Sequence, residues 1–162
     1  MHDHVVRMLR DANDYLHDAD ILAGSLTAGP GASQLRVLAL EVLLKAAQYA
    51  ALGKYQPHHR YRELWEALPQ DIRVCVVDAA HQRYRGHIDL SDLPSMLDDW
   101  QFVFTKGRYY FELNQYLSLG EQRENGEDWI ARGAPLPEAQ VRFHPDELLA
   151  LAAGLIDYIE AT

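Results

Sequence analysis

The sequence predicts an all-α fold, an up-and-down bundle of five or six helices in one domain spanning residues 1–162. Two observations carry this prediction. First, apolar residues recur every three or four positions through most of the chain, which is typical of helices. Second, residues 33–52 form an almost wholly apolar stretch, which indicates a central helix packed on several sides. A chain of 162 residues with 48% hydrophobic residues has room for one core.

A loop rich in glycine and proline separates the first two predicted helices. The first is amphipathic, because arginine and aspartate lie between apolar positions of helical spacing. Those positions are Val5, Leu9, Ala12, Leu16, Ala19, Ala23 and Leu26. The central helix has Ser33 or a nearby residue as its candidate N-cap and Gly53 as a candidate C-cap. The turn KYQPHHR then connects it to the next helix.

Two shorter helices are predicted next, from Arg60 to Leu68 and from Asp71 to Arg83. The β-branched run Val74–Val77 is also compatible with a strand, but no partner of similar character lies nearby, so a helix is favoured. Within this run, Cys75 has valine neighbours on both sides, which predicts a buried and unreactive thiol.

The second half of the chain is predicted to contain two helices separated by a surface excursion. A long helix is expected from about Leu93 to Leu117, with a kink at Gly107. Residues at about 118–143 are rich in glycine, proline and charge, and a small hairpin is expected at Asn125-Gly126. The last helix is expected to begin at His144-Pro145, because proline is tolerated in a first turn.

Composition narrows the classes of function. A net charge of −9 and a pI near 5.2 argue against a broad basic face for duplex DNA. The single cysteine excludes a disulfide framework within the chain. No apolar run approaches the roughly 20 residues that span a bilayer, so no membrane association is expected. The N-terminal residues contain no secretory core, and we expect a cytoplasmic protein.

Three segments resemble the HEPN superfamily. They are LALEVLLKAAQYAALGK, HHRYRELWEAL and GRYYFE, which look like that family's central helix, the turn and short helix after it, and an Arg-Tyr-Tyr-Glu helix segment. HEPN proteins are bundles of four or five helices that commonly dimerise. Many are ribonuclease toxins or defence components, and others are binding modules. The resemblance therefore implies a homodimer, an antitoxin or other protein partner, and RNA or a nucleotide as ligand.

Catalytic HEPN proteins carry an arginine followed, usually after four to six residues, by a histidine on a late helix. In this chain the only pair with that spacing is Arg10 and His17, on the first helix, and chance alone predicts about as many. Arg83 and His87 are one residue too close together. These four residues are weak catalytic candidates, and the catalytic residues stay unassigned. The cations around Arg83 are also explained by the dipole at a helix C-terminus.

The candidate binding residues fall into three groups. The first is Glu41 and Lys45, one turn apart on the central helix; they either pair with each other, which is favoured, or Glu41 points into a cleft. The other two groups are the turn residues His58, His59 and Arg60, and the helix residues Arg108, Tyr109 and Glu112. For the turn residues, an ordinary solvated turn is favoured over a phosphate-binding rim.

Charges on otherwise buried elements need partners. We therefore expect Glu41, Arg108 and Glu112 to form one interhelical network, with His58 or Arg60 at its mouth. Consecutive histidines diverge and no other ligand stands beside them, so no metal site is predicted, and no cofactor. The favoured function is a HEPN-like binding module of a toxin-antitoxin or defence-type system that recognises RNA, a nucleotide or a partner protein. The alternative is a metal-independent HEPN ribonuclease.

Overall fold

The computed structural model describes residues 3–25 and 30–162, and of Arg108 and Tyr110 it describes only the backbone. The described residues form eight α-helices and two 3₁₀ helices. The α-helices are α1 (Asp3–Ala23), α2 (Gly31–Leu52), α3 (Tyr61–Glu66), α4 (Gln70–Arg83), α5 (Leu93–Thr105), α6 (Tyr110–Leu113), α7 (Leu119–Ala131) and α8 (Pro145–Glu160). The 3₁₀ helices are Gly107–Tyr109 and Leu136–Glu138. The all-α prediction is confirmed.

Helix α2 lies at the centre of the bundle. It packs against α1 along its length and also contacts α8, α5 and α3, while α4 packs against α8. Its apolar residues face several neighbours at once, and Leu40, Leu43 and Leu44 are fully buried. The helix ends as predicted at Gly53, whose φ of 69° is left-handed and whose amide donates to the Tyr49 carbonyl.

The predicted long helix of residues 93–117 is interrupted, which is one reason why there are more helices than the five or six expected. Helix α5 ends at Thr105, and a 3₁₀ turn and the short α6 follow. The Gln34 side chain of α2 donates from Nε2 to the Val103 carbonyl at 2.9 Å. That carbonyl is the one that Gly107 would use to continue the helix, so a tertiary hydrogen bond competes with the helical one.

The expected hairpin at Asn125-Gly126 is wrong, because α7 runs through both residues. Its start is fixed by a capping box: the Ser118 hydroxyl accepts from the Glu121 amide, and the Glu121 carboxylate accepts from the Ser118 amide. The surface position of this segment is confirmed, because α7 has no buried residue.

Two local predictions also need correction. Cys75 is exposed, because Val76 and Ala80 set the inward face of α4 and Cys75 lies off that face. Helix α2 begins at Gly31 after Pro30, so Ser33 lies inside the helix. Among the described residues, no helix is both long and apolar enough to cross a membrane.

Gly154 allows a close contact between the backbones of α4 and α8. A Cβ atom at this position of α8 would lie 2.3 Å from the Val76 carbonyl oxygen of α4 and 3.3 Å from the Ala80 amide nitrogen. Both neighbours are backbone atoms, which side-chain rotation cannot move away. The close spacing of α4 and α8 therefore depends on the absence of a side chain at Gly154.

Gly154→Ala is expected to lower the free energy of unfolding by about 1–3 kcal/mol, because α4 and α8 must separate to admit a methyl group. Gly126→Ala is the matched control, because a Cβ at this α7 position would meet nothing within 4 Å. The control should be neutral or slightly stabilising. Urea unfolding followed by circular dichroism measures both, and equal stabilities of the two variants would contradict the close contact.

Candidate functional site

One face of α2 carries polar residues although most of the helix is apolar. Gln34, Glu41, Lys45 and Gln48 follow one another at spacings of seven, four and three residues. We call these four residues the polar stripe. Gln48 donates from Nε2 to the Leu64 carbonyl at 2.6 Å, and its Oε1 accepts from the Gln56 amide at 2.9 Å. The stripe therefore holds the connection between α2 and α3, residues 53–60, against the central helix.

Glu41 is the buried charge of the stripe, with a relative exposure of 4%. Its Oε1 accepts a hydrogen bond from Lys45 Nζ at 2.7 Å, so the predicted pairing of these two residues is present. The same oxygen lies 2.7 Å from Nδ1 of His59. Its Oε2 is buried and has no hydrogen-bond partner in the described part of the chain. One carboxylate oxygen thus joins the central helix to the connection.

His59 is held at one ring nitrogen by a hydrogen bond with Glu41, and its side chain is partly exposed. A carboxylate only accepts, so Nδ1 carries the hydrogen and Nε2 is the nitrogen left for a ligand. The ring stacks on Phe104 of α5, with centroids 5.6 Å apart and planes inclined by 28°. The side chain is nevertheless 59% exposed. The arrangement presents an oriented imidazole that can stack and whose Nε2 can accept a hydrogen bond, or donate one when the ring is protonated.

Tyr61 is the buried residue of α3 that lies next to the site. It is fully buried, its hydroxyl donates to the Val37 carbonyl at 2.7 Å, and its amide donates to Gln101 Oε1 at 3.1 Å. Burial raises the pKa of the Tyr61 hydroxyl well above its usual value of 10.0, and the negative charge of Glu41 raises this pKa further. Tyr61 therefore joins α3 to both α2 and α5.

The other cations of the turn are paired with acids at the surface. His58 Nε2 lies 3.5 Å from Glu63, and Arg60 lies 2.9 Å from the same carboxylate. Arg62 pairs with Asp98 of α5. Among the described residues, neither His58 nor Arg60 has a hydrogen bond or ion pair with Glu41, and the turn residue that reaches this carboxylate is His59, which the prediction did not name. Of the consecutive residues His58, His59 and Arg60, only His59 has a hydrogen bond with a residue of α2 among the described residues.

The third predicted group lies after α5, and Glu112 is exposed there. The side chain of Arg108 lies outside the described residues, and the predicted contact with Glu41 stays a prediction. Tyr109 is 41% exposed and packs edge-on against Phe111, with ring centroids 6.3 Å apart.

The weak catalytic candidates lie on other surfaces. Arg10 is exposed on α1 and lies 3.9 Å from Asp14, and His17 is exposed two turns further along the same helix. Arg83 joins α4 to α8 by pairing with Asp157 at 2.9 Å, and His87 is exposed in the loop that follows. Within the described residues, no hydrogen bond or ion pair joins either arginine to its histidine.

A second ionic cluster, on α5 and before α8, was not predicted from the sequence. Asp99 of α5 binds Arg142 at 3.1 Å through one oxygen and His144 at 3.0 Å through the other. The indole of Trp100 donates to the Phe143 carbonyl beside it. The cluster fixes the start of α8 to α5, and His144 has a left-handed φ of 49° there. In sequence the partners are more than 40 residues apart, and no local pattern joins them.

Among the described residues, no three histidine, cysteine or acidic side chains are grouped so that they could hold a metal ion.

Glu41→Ala is expected to lower the free energy of unfolding by about 3 kcal/mol, because it leaves Lys45 largely buried without its counter-charge. The control is Glu127→Ala, which removes a carboxylate from the exposed pair with Arg123 and should leave stability essentially unchanged. Urea unfolding measures both. An equal, small effect of the two substitutions would show that Glu41 is not the anchor of the site.

Tyr61→Phe is expected to lower stability by about 1 kcal/mol at neutral pH, through loss of one buried hydrogen bond. The folded protein keeps the Tyr61 proton at pH values where the unfolded chain releases it, so stability falls as pH rises above about 10. The variant lacks this contribution, and its stability should fall less steeply there. Parallel pH profiles of both proteins in urea unfolding would contradict the raised pKa.

Comparison with known proteins adds no relative from which a role could be transferred. No family model matches the chain, and neither does any curated protein or solved structure. The HEPN resemblance therefore stays a prediction from the residues, and the function rests on the chemistry of the site.

Proposed function

We propose that this chain is a HEPN-like binding module whose His59 site recognises RNA or a nucleotide. The observation that carries the proposal is the His59 imidazole, held at Nδ1 by the buried Glu41, stacked on Phe104, and 59% exposed. An exposed ring fixed in orientation is what an unpaired base stacks on. Nε2 on its far edge accepts a hydrogen bond from a base edge or a ribose hydroxyl, and it donates to a phosphate when the ring is protonated.

The neighbouring cations suit a phosphate group. The side chain of Arg60 is 60% exposed, and its only ion pair among the described residues is with Glu63, whose side chain is 46% exposed. Exposed pairs of this kind contribute little, so a phosphate can compete for the guanidinium. The charge of −9 supports recognition by a few local groups over coating of a duplex.

One observation favours the alternative, a metal-independent ribonuclease. A carboxylate that orients an imidazole through Nδ1 is also the arrangement of a general base, with Nε2 able to take a proton from a ribose 2′-hydroxyl. Binding is favoured because cleavage also needs a proton donor for the leaving oxygen and a cation at the phosphorane. Arg62 is engaged with Asp98 of α5, and Arg60 cannot serve as proton donor and as phosphorane cation at once.

The proposed oligomeric state and biological setting rest on the resemblance to HEPN proteins. HEPN proteins commonly dimerise, and many belong to toxin-antitoxin or defence-type systems, so we propose a homodimer in such a setting. Sedimentation across a range of protein concentrations tests the dimer, and a monomer mass at every concentration would reject it.

His59→Asn is expected to weaken binding of single-stranded RNA or of a nucleotide roughly tenfold, because it removes the ring but keeps an amide donor for Glu41. His17→Asn, at an exposed position of α1, is the control and should bind like the native protein. Fluorescence anisotropy with labelled RNA and with a labelled adenine nucleotide measures affinity, and circular dichroism confirms that both variants fold.

The same samples separate the two functions. Intact RNA after long incubation, together with binding that depends on His59, supports the binding module. Shortened RNA in the presence of a metal chelator, lost in His59→Asn, would replace it with the ribonuclease. Equal affinity of both variants, or no binding of either probe by the native protein, would reject the His59 site.

A further inference from the structure

Helix α7 and the residues after it form a surface that the RNA-binding proposal does not use. We call residues 118–141 the α7 lobe. The helix has 13 residues, none of them buried, and Leu119 and Ile130 are 84% and 66% exposed. Helices of this length are marginal in water unless an apolar face packs against something. The capping box holds its start, but no buried contact holds the remainder.

A groove runs along the inner face of α7. It has a volume of about 790 Å³ and lies between that helix and residues 138–141, with Leu117, Trp129 and Val141 supplying its apolar lining. Hydrogen bonds keep the two walls in place. Gln140 Nε2 donates to the Leu113 carbonyl at 3.1 Å, and the Trp129 indole donates to the Pro135 carbonyl at 3.1 Å.

Gly126 lies on the groove side of α7, in the middle of the helix. A Cβ atom at this position would meet nothing within 4 Å. Glycine inside a helix costs stability relative to alanine, but it lets another backbone come close to the helix. The groove is therefore open in front of a residue of α7 that allows a close approach of a polypeptide.

The α7 lobe is acidic. Residues 118–141 contain five carboxylates and two arginines. Both arginines are already paired, Arg123 with Glu127 and Arg132 with Glu138. Glu124 and Asp128 lie one turn apart, and neither has an ion pair within the described residues. Like charges at this spacing destabilise a helix, and a cation brought by a partner would relieve the repulsion.

From these features we propose that the groove of the α7 lobe receives a basic, partly apolar polypeptide segment of a partner protein. An apolar side chain of that segment contacts Trp129 and Val141, its backbone passes Gly126, and a lysine or arginine meets Asp128. A nucleic acid carries the wrong sign of charge for this surface. A second copy of the chain is disfavoured, because a symmetric pairing would bring two acidic helices together.

The test uses the full chain labelled with ¹⁵N and two synthetic amphipathic peptides, one of leucine and lysine and one with glutamate in place of every lysine. The lysine peptide is expected to shift amide signals of α7 and of residues 138–141, with an affinity that falls as salt rises. Asp128→Lys should weaken this binding about tenfold, as reversal of a contacting charge does. Gly126→Val should also weaken it, by filling the groove without changing the charge.

Asp18→Lys, at an exposed position of α1, makes the same change of charge elsewhere and should bind the peptide like the native chain. The proposal is overturned if the glutamate peptide binds as well as the lysine peptide, if the shifts lie outside the lobe, or if neither peptide binds. Unchanged affinity in both Asp128→Lys and Gly126→Val also overturns it. Self-association that Gly126→Val abolishes would assign the groove to a second copy. None of these outcomes depends on RNA binding at His59.

Discussion

The buried carboxylate of Glu41 determines how the rest of the site is arranged. A charge that is 4% exposed requires compensation, because an isolated ion in the protein interior is very costly. Lys45 supplies a counter-charge from the same helix, and His59 brings a second donor from the connection between α2 and α3. Satisfying Glu41 therefore requires that the connection folds back onto the central helix, and this places the imidazole at the surface in one orientation.

The other members of the polar stripe support the same fold. Gln48 bonds both the connection and α3, while Gln34 bonds the end of α5 and competes with the continuation of that helix. Tyr61 then ties α3 to the backbone of α2. An otherwise apolar helix thus fixes its neighbours through a few polar contacts, and the His59 ring is preorganised. A ligand that stacks on this ring meets a side chain that has already lost much of its rotational freedom.

The two proposed surfaces differ in charge and in packing. The His59 site combines an imidazole and an arginine on elements that pack directly against the core. The α7 lobe is acidic, and its helix buries no residue. Arg60, whose ion pair with Glu63 is exposed, suits the proposed His59 site to an anionic group, and the acidic α7 lobe suits a basic segment. Both could therefore be occupied without competition for the same groups.

Features that depend on neighbours in sequence were predicted well. The C-cap at Gly53, the start of α8 at Pro145 and the pair of Glu41 with Lys45 all follow from local spacing. The capping box of Ser118 and Glu121 was also a local signal, but the glycine and asparagine of α7 led to a hairpin prediction instead.

Features that depend on tertiary packing were not predicted. Which of His58, His59 and Arg60 reaches Glu41 depends on how the turn docks, and the sequence does not contain that information locally. The cluster of Asp99 and His144 and the break after Thr105 arise from contacts between distant segments. The exposure of Cys75 follows from the rotational phase of α4, which its valine neighbours do not reveal.

The most direct measurement of the Glu41 constraint is the tautomer of His59, read from long-range ¹H–¹⁵N correlations of the imidazole nitrogens at mildly alkaline pH. If Glu41 orients the ring, the spectrum shows the hydrogen on Nδ1 and an unprotonated Nε2, while the exposed His17 shows the averaged pattern of a free imidazole. A hydrogen on Nε2 of His59, or the same averaged pattern as His17, would contradict the account.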